Sequence, residues 1–273
     1  MKALPALNKV HKYYLDKFMT PANRQAEIAN LIRQRDHITV NELAEMLKTS
    51  RETIRRDLTE LARTGKVQKF HGGASLPLTT GEGHFHDRMG KNVTAKVQIA
   101  TAAAKLIAPN ETILIDTGST TLYFAEELVK IPSLTVVTNS AEIARTMSTG
   151  QSTTRTFLLG GEFHGDNRQT VGSMAIAQVQ SFRAHHAILT AGALDARTGV
   201  MDYSIEEAQL ARAMVERGEF LTVLVDSSKF EQIASFEVCG LDKITNLVCD
   251  KSPTGRLKAE LLEANVNIIV AGT

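Results

Sequence analysis

The stretch Thr39–Gly65, TVNELAEMLKTSRETIRRDLTELARTG, places two helix starts one after the other. Thr39 and Glu42 have the spacing of a capping box, in which the threonine hydroxyl serves the third helical amide and the glutamate reaches back to the cap. Leu43 and Leu47 then form an apolar stripe. A short turn through Lys48 and Thr49 leads to Ser50, a second cap, and to a helix that Gly65 terminates. At about 100° per residue, Ile54, Leu58, Leu61 and Ala62 share one face of this second helix. Glu52, Arg56 and Thr59 point away from that face, and Arg55 flanks it. Two short helices joined by a tight turn, the second with cationic and polar groups in its N-terminal half, suit insertion into a DNA major groove.

The flanks extend this reading. Upstream, Thr20-Pro21 reads as a cap followed by proline at the first helical position, with Ile28, Leu31 and Ile32 at helical spacing behind it. Downstream, GKVQKFHGGA (Gly65–Ala74) alternates, is basic and ends in paired glycines. It reads as a two-stranded wing whose Lys66, Lys69 and His71 lie along a phosphate backbone. The candidate DNA-contacting residues are therefore Thr39, Ser50, Arg51, Glu52, Thr53, Arg55, Arg56, Lys66, Lys69 and His71. Residues 1–18 show neither a cap nor a consistent apolar stripe. They are expected to be dispensable, with Met19 a candidate start; the alternative is an arm that touches the minor groove through Lys2, Lys9, Lys12 and Lys17.

Charge separates this head from the rest. Residues 1–75 carry 14 Lys and Arg against 8 Asp and Glu, and the remainder carries 17 against 22, so a net charge of +1 hides a basic head on an acidic body. That is the distribution expected when only the head meets a polyanion. With 273 residues of which 43% are hydrophobic, the chain has enough apolar material for a conventional core and room for two domains. No apolar run approaches the roughly 20 residues of a membrane span, and the charged first twenty residues do not read as a signal peptide. Cys239 and Cys249 read as ordinary thiols of a reducing compartment, which implies a cytoplasmic protein. Neither they nor His164, His185 and His186 have metal-ligand spacing, so neither a metal nor a cofactor is expected.

The stretch Ala74–Arg88, ASLPLTTGEGHFHDR, holds a proline and two glycines, lacks periodicity and reads as a linker. The expected division is a DNA-binding domain over 20–75, a linker over 76–93 and a second domain over 94–273. From about Thr94 apolar, β-rich runs alternate with helical segments. The strands are read at Thr112–Ile115, Leu134–Thr138, Thr156–Gly160, Ala187–Ala191, Phe220–Asp226, Asn246–Asp250 and Asn267–Ala271. Helices such as Leu122–Val129 and Ile205–Arg217 fall between them. Continuous apolar strands separated by helices predict an α/β domain with a mostly parallel sheet covered on both faces.

Four strand ends carry the candidate chemistry. ILIDTGSTT (Ile113–Thr121) delivers Asp116 into a loop of glycine and hydroxyl residues ahead of a helix expected near Leu122. Such a loop offers backbone amides, hydroxyls and a helix N-terminus to an anion. TNS (Thr138–Ser140), GGEF (Gly160–Phe163) and DSSKF (Asp226–Phe230) end later strands, and Lys229 is the one obvious cation among them. The candidate effector residues are Asp116, Gly118, Ser119, Thr120, Thr121, Thr138, Asn139, Gly160, Gly161, Gly192, Ser228 and Lys229.

The string TIRRDLTEL, followed by a basic stretch and HGGA, closely resembles the N-terminal domain of the DeoR family of bacterial transcription regulators. The motifs DTGSTT, TNS, the glycine pair and DSSKF resemble the sensor domain of the same family, so the resemblance covers all but about the first twenty residues. It implies a helix-turn-helix over Ile38–Asp57 and a sensor fold similar to ribose-5-phosphate isomerase and glucosamine-6-phosphate deaminase. It further implies a repressor of carbohydrate or polyol catabolism that binds double-stranded operator DNA as a homo-oligomer and is relieved by a phosphorylated sugar. One departure stands out: Thr190–Asp195, which contains Gly192, reads TAGALD where the resemblance leads one to expect a smaller glycine-rich variant ending in Gly-Ile-Asp. The competing reading is an enzyme, a sugar-phosphate isomerase or deaminase with a DNA-binding head, in which Asp116 or Glu206 serves as general base. No matched acid–base pair is visible in the sequence.

Overall fold

The computed structural model describes residues 20–35, 37–63, 67–70, 72–75, 85–150 and 153–272. The chain divides into two compact units, Met1–Leu78 and Thr79–Thr273. Residues 1–18, Gly65, Lys66, His71 and the first part of the expected linker lie outside the described residues.

The first unit has the order α1 (Pro21–Arg35), β1 (His37–Thr39), α2 (Val40–Met46), α3 (Arg51–Arg63), β2 (Gln68–Phe70) and β3 (Gly73–Ser75). Each sequence-read cap is present. Thr20 Oγ1 accepts from the Asn23 amide at 3.3 Å, and Thr39 and Glu42 complete the reciprocal box at the start of α2. Ser50 Oγ accepts from the Thr53 amide at 3.1 Å. The turn between α2 and α3 closes with Lys48 in the left-handed region (φ 49°) and the Thr49 amide bonded back to the Ala44 carbonyl at 3.0 Å, a helix ending that glycine usually supplies. Ile28, Ile32, Leu43, Ile54 and Leu58 are buried in one core that ties the three helices together. The wing has a strand more than expected: β1 pairs antiparallel with β3, which also pairs with β2. Gly73 is required at that junction, because a Cβ there would sit 2.5 Å from the Ile38 carbonyl oxygen and 2.5 Å from the Phe70 ring.

The second unit begins with α4 (Phe85–Met89) and α5 (Val93–Ala104). The described part of the expected linker thus holds α4, a turn over residues 90–92 and the start of α5, and belongs to this unit. Its Phe85 and Arg88 are buried, and a five-residue helix is too short to show apolar periodicity.

Seven parallel strands follow: β4 (Thr112–Ile115), β5 (Thr135–Thr138), β6 (Arg155–Leu158), β9 (Ala184–Thr190), β12 (Gly218–Val225), β14 (Asn246–Cys249) and β15 (Asn267–Val270). They stand in the order β15-β14-β12-β9-β4-β5-β6. Between them run α6 (Ser119–Leu128), α7 (Ala141–Ser148), α8 (Ser173–Val179), α9 (Ile205–Arg217) and α10 (Gly255–Glu263). Side chains alternate across the sheet. Leu114, Leu189 and Val223 join one core with α8, α9 and α10. Ile113, Ile115 and Ile188 join the other with α5, α6 and α7. This is why the strands read as unbroken apolar runs.

The additions are short strands that the sequence did not mark. A hairpin of β7 (Glu162–His164) and β8 (Gln169–Val171) leaves the end of β6. A small antiparallel sheet joins β10 (Ala193–Asp195), β11 (Gly199–Asp202) and β13 (Phe236–Cys239). Cys239 and Cys249 are free thiols, and burial pushes both up to about 12.

Candidate functional site

In the first unit, α3 presents Arg51, Glu52, Arg55, Arg56 and Thr59 to solvent while Ile54, Leu58 and Leu61 hold it to the core. Arg55 Nη1 lies 3.5 Å from Glu52 Oε2 in an open pair, a geometry worth little in water and easily exchanged for phosphate or a base edge. Lys69, on β2, does not stand apart from the helix: its Nζ donates to Thr59 Oγ1 at 2.9 Å, and that hydroxyl donates to the Arg55 carbonyl at 2.7 Å. Wing and helix therefore share one cationic edge.

The sequence reading missed Asp57. It is buried and accepts from Arg24 Nε at 2.5 Å, Arg24 Nη2 at 3.3 Å and Gln25 Nε2 at 3.2 Å. This pair fixes α1 against α3. Its signal was available, since position 57 falls beside Ile54, Leu58 and Leu61 on the inward arc, where an aspartate needs a partner.

In the second unit the strand order reverses between β4 and β9, the switch point where open α/β sheets take ligands beyond their C-terminal strand ends. A cavity of about 220 Å³ lies there. Ser119 and Thr120 line it from the first turn of α6, Thr190 from the end of β9, and Asp226, Ser228 and Lys229 from the end of β12. The helix starts at Ser119, three residues before the expected Leu122, so both hydroxyl residues belong to a helix N-terminus. Gly118 allows this geometry: a Cβ there would sit 2.3 Å from Thr190 Cγ2.

Lys229 is not the only cation. Arg88, Lys91 and Lys96 line the same cavity from α4, the turn after it and α5. Lys96 is buried with its Nζ donating to the Arg88 carbonyl at 2.5 Å. These three were missed because they precede the first strand and carry no motif. The one carboxylate in the lining, Asp226, is occupied by Asn92 Nδ2 at 3.0 Å, the Ser228 amide at 3.0 Å and the Ser228 hydroxyl.

Other expected site residues sit in a polar network behind this cavity. Asp116 Oδ1 and Asn139 Oδ1 both accept the Thr117 amide, at 2.8 and 3.0 Å. Asn139 Nδ2 donates to Gln169 Oε1 at 3.3 Å. Glu207 Oε1 accepts from Gln169 at 2.5 Å and from Asn167 at 2.7 Å, and Asn167 Oδ1 accepts Arg88 Nη2 at 2.8 Å. The chain of bonds thus links Asp116 to a cavity-lining cation.

Glu207, not Glu206, is the inward carboxylate of α9. Glu206 is exposed and accepts the Ser204 hydroxyl at the helix start, with that start holding its carboxyl below the usual range. Thr121 caps back to the Gly118 carbonyl at 3.1 Å, and Thr138 Oγ1 accepts the Ser140 amide at 3.1 Å. Gly160 donates to Gln178 Oε1 at 2.9 Å. Gly161 and Gly192 approach the Val171 carbonyl and the Tyr203 ring. None of these last five residues lines the cavity.

Burial first, then the nearby charges of Glu207 and Asp202, pushes the Asp116 carboxyl well above its ordinary value of 3.8. The folded state therefore holds that proton more tightly than the unfolded chain, and ionised Asp116 opposes folding once the pH rises above 3.8. Asp116→Asn keeps an acceptor for the Thr117 amide and is expected to raise the melting temperature at neutral pH. The gain should shrink to nothing as the pH falls below the ordinary carboxylate value. Melting curves across pH check this; a variant that is less stable at pH 7 would contradict it.

A winged helix-turn-helix joined to an α/β unit with a ligand-sized cationic cavity defines a DNA-binding regulator with a sensor domain. Residues 24–80 match the DeoR-like helix-turn-helix domain and residues 91–251 match the DeoR C terminal sensor domain. The chain belongs to the DeoR family of transcription regulators. It is 27% identical to the HTH-type transcriptional repressor CsqR of Escherichia coli over 92% of this chain and 96% of that protein. It is 28% identical to the glycerol-3-phosphate regulon repressor of Escherichia coli, over 92% and 99%. It is 31% identical to the HTH-type transcriptional regulator GolR of Listeria innocua, over 93% and 100%. Among solved structures, 50% of the chain aligns with 52% of a D-ribose-5-phosphate isomerase in complex with phospho-erythronic acid, at 20% identity and a TM-score of 0.37. Among the described residues no helix is long and apolar enough to cross a membrane.

Proposed function

We propose that this regulator represses a carbohydrate or polyol catabolic operon from the cytoplasm, and that a small phosphorylated sugar or sugar acid releases it from its operator. The observation that carries the reading is the convergence of Arg88, Lys91, Lys96 and Lys229 on one cavity rimmed by the Ser119, Thr120 and Ser228 hydroxyls. Four cations around one lining carboxylate favour a dianion over a neutral sugar. The α6 amides and Ser119 hold the phosphate, Lys229 and Arg88 close on it, and the Asp116–Asn139–Glu207 network behind the cavity supports Arg88 through Asn167. The name of the glycerol-3-phosphate regulon repressor fits an effector of this size and charge. Residues 20–75 read DNA, with Arg55 and Arg56 on bases and Lys69 on phosphate, and the sensor unit takes in α4 from Phe85 onward.

The chain binds its effector without turning it over, and it acts as a homo-oligomer because paired heads read two half-sites. Repression follows linkage: the effector binds the DNA-competent and DNA-incompetent arrangements unequally and shifts their populations by that difference.

Thermal shift and calorimetry with matched pairs, such as glycerol and glycerol 3-phosphate, test the reading. The phosphorylated member should raise the melting temperature while its twin does little. Lys229→Ala should weaken phosphorylated-ligand binding tenfold or more, the equivalent of about 1.5–3 kcal/mol for a hydrogen bond to a charged group, and leave operator binding intact. Equal binding of both twins would mean a neutral-sugar site, and product formation would mean an enzyme.

A further inference from the structure

The hairpin of β7 and β8 is built unevenly. β8 is buried through Gln169, Thr170 and Val171, and Gln169 also bridges to Ser140 in the body of the unit. β7 is the outer strand, and among the described residues no strand pairs with its other edge. A lone two-stranded ribbon is marginal in water, and an unpaired edge invites another strand. The middle residue of β7, Phe163, is 57% exposed. Leu158, at the end of β6, and Met174, in the first turn of α8, flank the same segment in the chain and are 49% and 66% exposed. Among the described residues, Leu158, Phe163 and Met174 are the exposed large apolar side chains of the segment from β6 to α8.

The order Glu162-Phe163-His164 is self-complementary. Glu162 and His164 share one side of the strand, 3.5 Å apart between Oε1 and Nε2, and Phe163 takes the other. We propose that β7 is an isologous interface, in which β7 of a second copy pairs antiparallel with it about a two-fold axis through Phe163. That register sets Phe163 against Phe163 of the partner subunit, and Glu162 against the partner's His164, with the reverse pair generated by symmetry. A register shifted by two residues would lose the aromatic pair and bring like side chains together. The occupant is a second copy because the strand supplies both the carboxylate acceptor and the imidazole of each cross-strand pair. The proposal rests on the reading of the chain as a homo-oligomer and names the surface that joins it.

Residues facing each other in an antiparallel pair have Cα atoms about 4.5 or 5.5 Å apart, and both separations lie within disulfide reach. Full-length Phe163→Cys should therefore form a covalent dimer under mild oxidation, without interference from the buried Cys239 and Cys249. Phe163→Asp should sediment at half the wild-type mass with an unchanged circular dichroism spectrum. Glu162→Lys and His164→Glu should each weaken association tenfold or more, and the double variant should recover most of the loss. A wild-type chain that sediments as a monomer at micromolar concentration would overturn the oligomer reading itself. An oligomeric wild type whose Phe163→Cys variant fails to cross-link, and whose Phe163→Asp variant keeps its mass, would overturn the β7 interface alone.

Discussion

Replacing Arg55 and Arg56 together with alanine is expected to lower affinity for the preferred duplex about a hundredfold, while Lys69→Ala lowers affinity for all duplexes alike. Both arginines are exposed on α3 beyond the Ser50 cap, Arg56 opposite the buried stripe of Ile54, Leu58 and Leu61 and Arg55 on its flank. A bidentate arginine–base contact is worth about 1–3 kcal/mol, so two contribute about 2–6 kcal/mol, a range that contains the roughly 2.8 kcal/mol of a hundredfold. Neither side chain carries the core, so the fold should survive the change. Lys69 is tied to Thr59 and lies on the wing, where a phosphate contact carries no sequence information; its loss should flatten the salt dependence by about one counterion. Gel-shift titration against a duplex selected from random sequence, at several salt concentrations, checks both. Unchanged affinity in the double variant would remove α3 as the reading helix.

Asp57→Ala is expected to cost the DNA-binding unit about 3–5 kcal/mol, because it leaves Arg24 in place without its counter-charge. The side chains of Arg24 and Asp57 are only 15% and 5% exposed, so water cannot replace the lost partner cheaply. Gln25 also loses its acceptor. Replacing the pair together, Arg24→Met with Asp57→Leu, should recover most of the loss, since exchanging a buried ion pair for apolar groups is often neutral or better. Thermal melting of the full chain provides the readout. The single variant should lower one transition and leave the effector response of the sensor unit unchanged. A single variant as stable as wild type would mean that the Arg24–Asp57 pair does not hold α1 to α3.

The sequence disclosed what depends on local chemistry. Caps at Thr20, Thr39 and Ser50 are read from one residue and its neighbours three positions on, and each is present. The five inner parallel strands were legible because burial on both faces forces uninterrupted apolar runs, and the edge strands β6 and β15 from their short apolar stretches next to helical segments. The short strands β1, β7, β8, β10, β11 and β13 were not, since three or four residues cannot display a period. At the cavity, the strand-end hydroxyls and Lys229 stood out from their motifs. Arg88, Lys91 and Lys96 did not, because they reach the strand ends from α4 and α5, ahead of the sheet, and only the tertiary fold brings them there. Glu206 and Glu207 are adjacent in sequence, and which of them faces inward is set by the exact phase of α9 behind its Ser204 cap.

Coupling of the cationic cavity to operator release can be read by titrating a fluorescent operator duplex, bound to the full-length wild-type chain, with phosphorylated sugars and polyols and with their unphosphorylated twins, while following anisotropy. A phosphorylated member should release the duplex at micromolar to millimolar concentration, its twin should not, and Lys229→Ala should shift the release curve tenfold or more to higher concentration. Release by both twins at the same concentration, or a release curve unmoved by Lys229→Ala, would contradict that coupling.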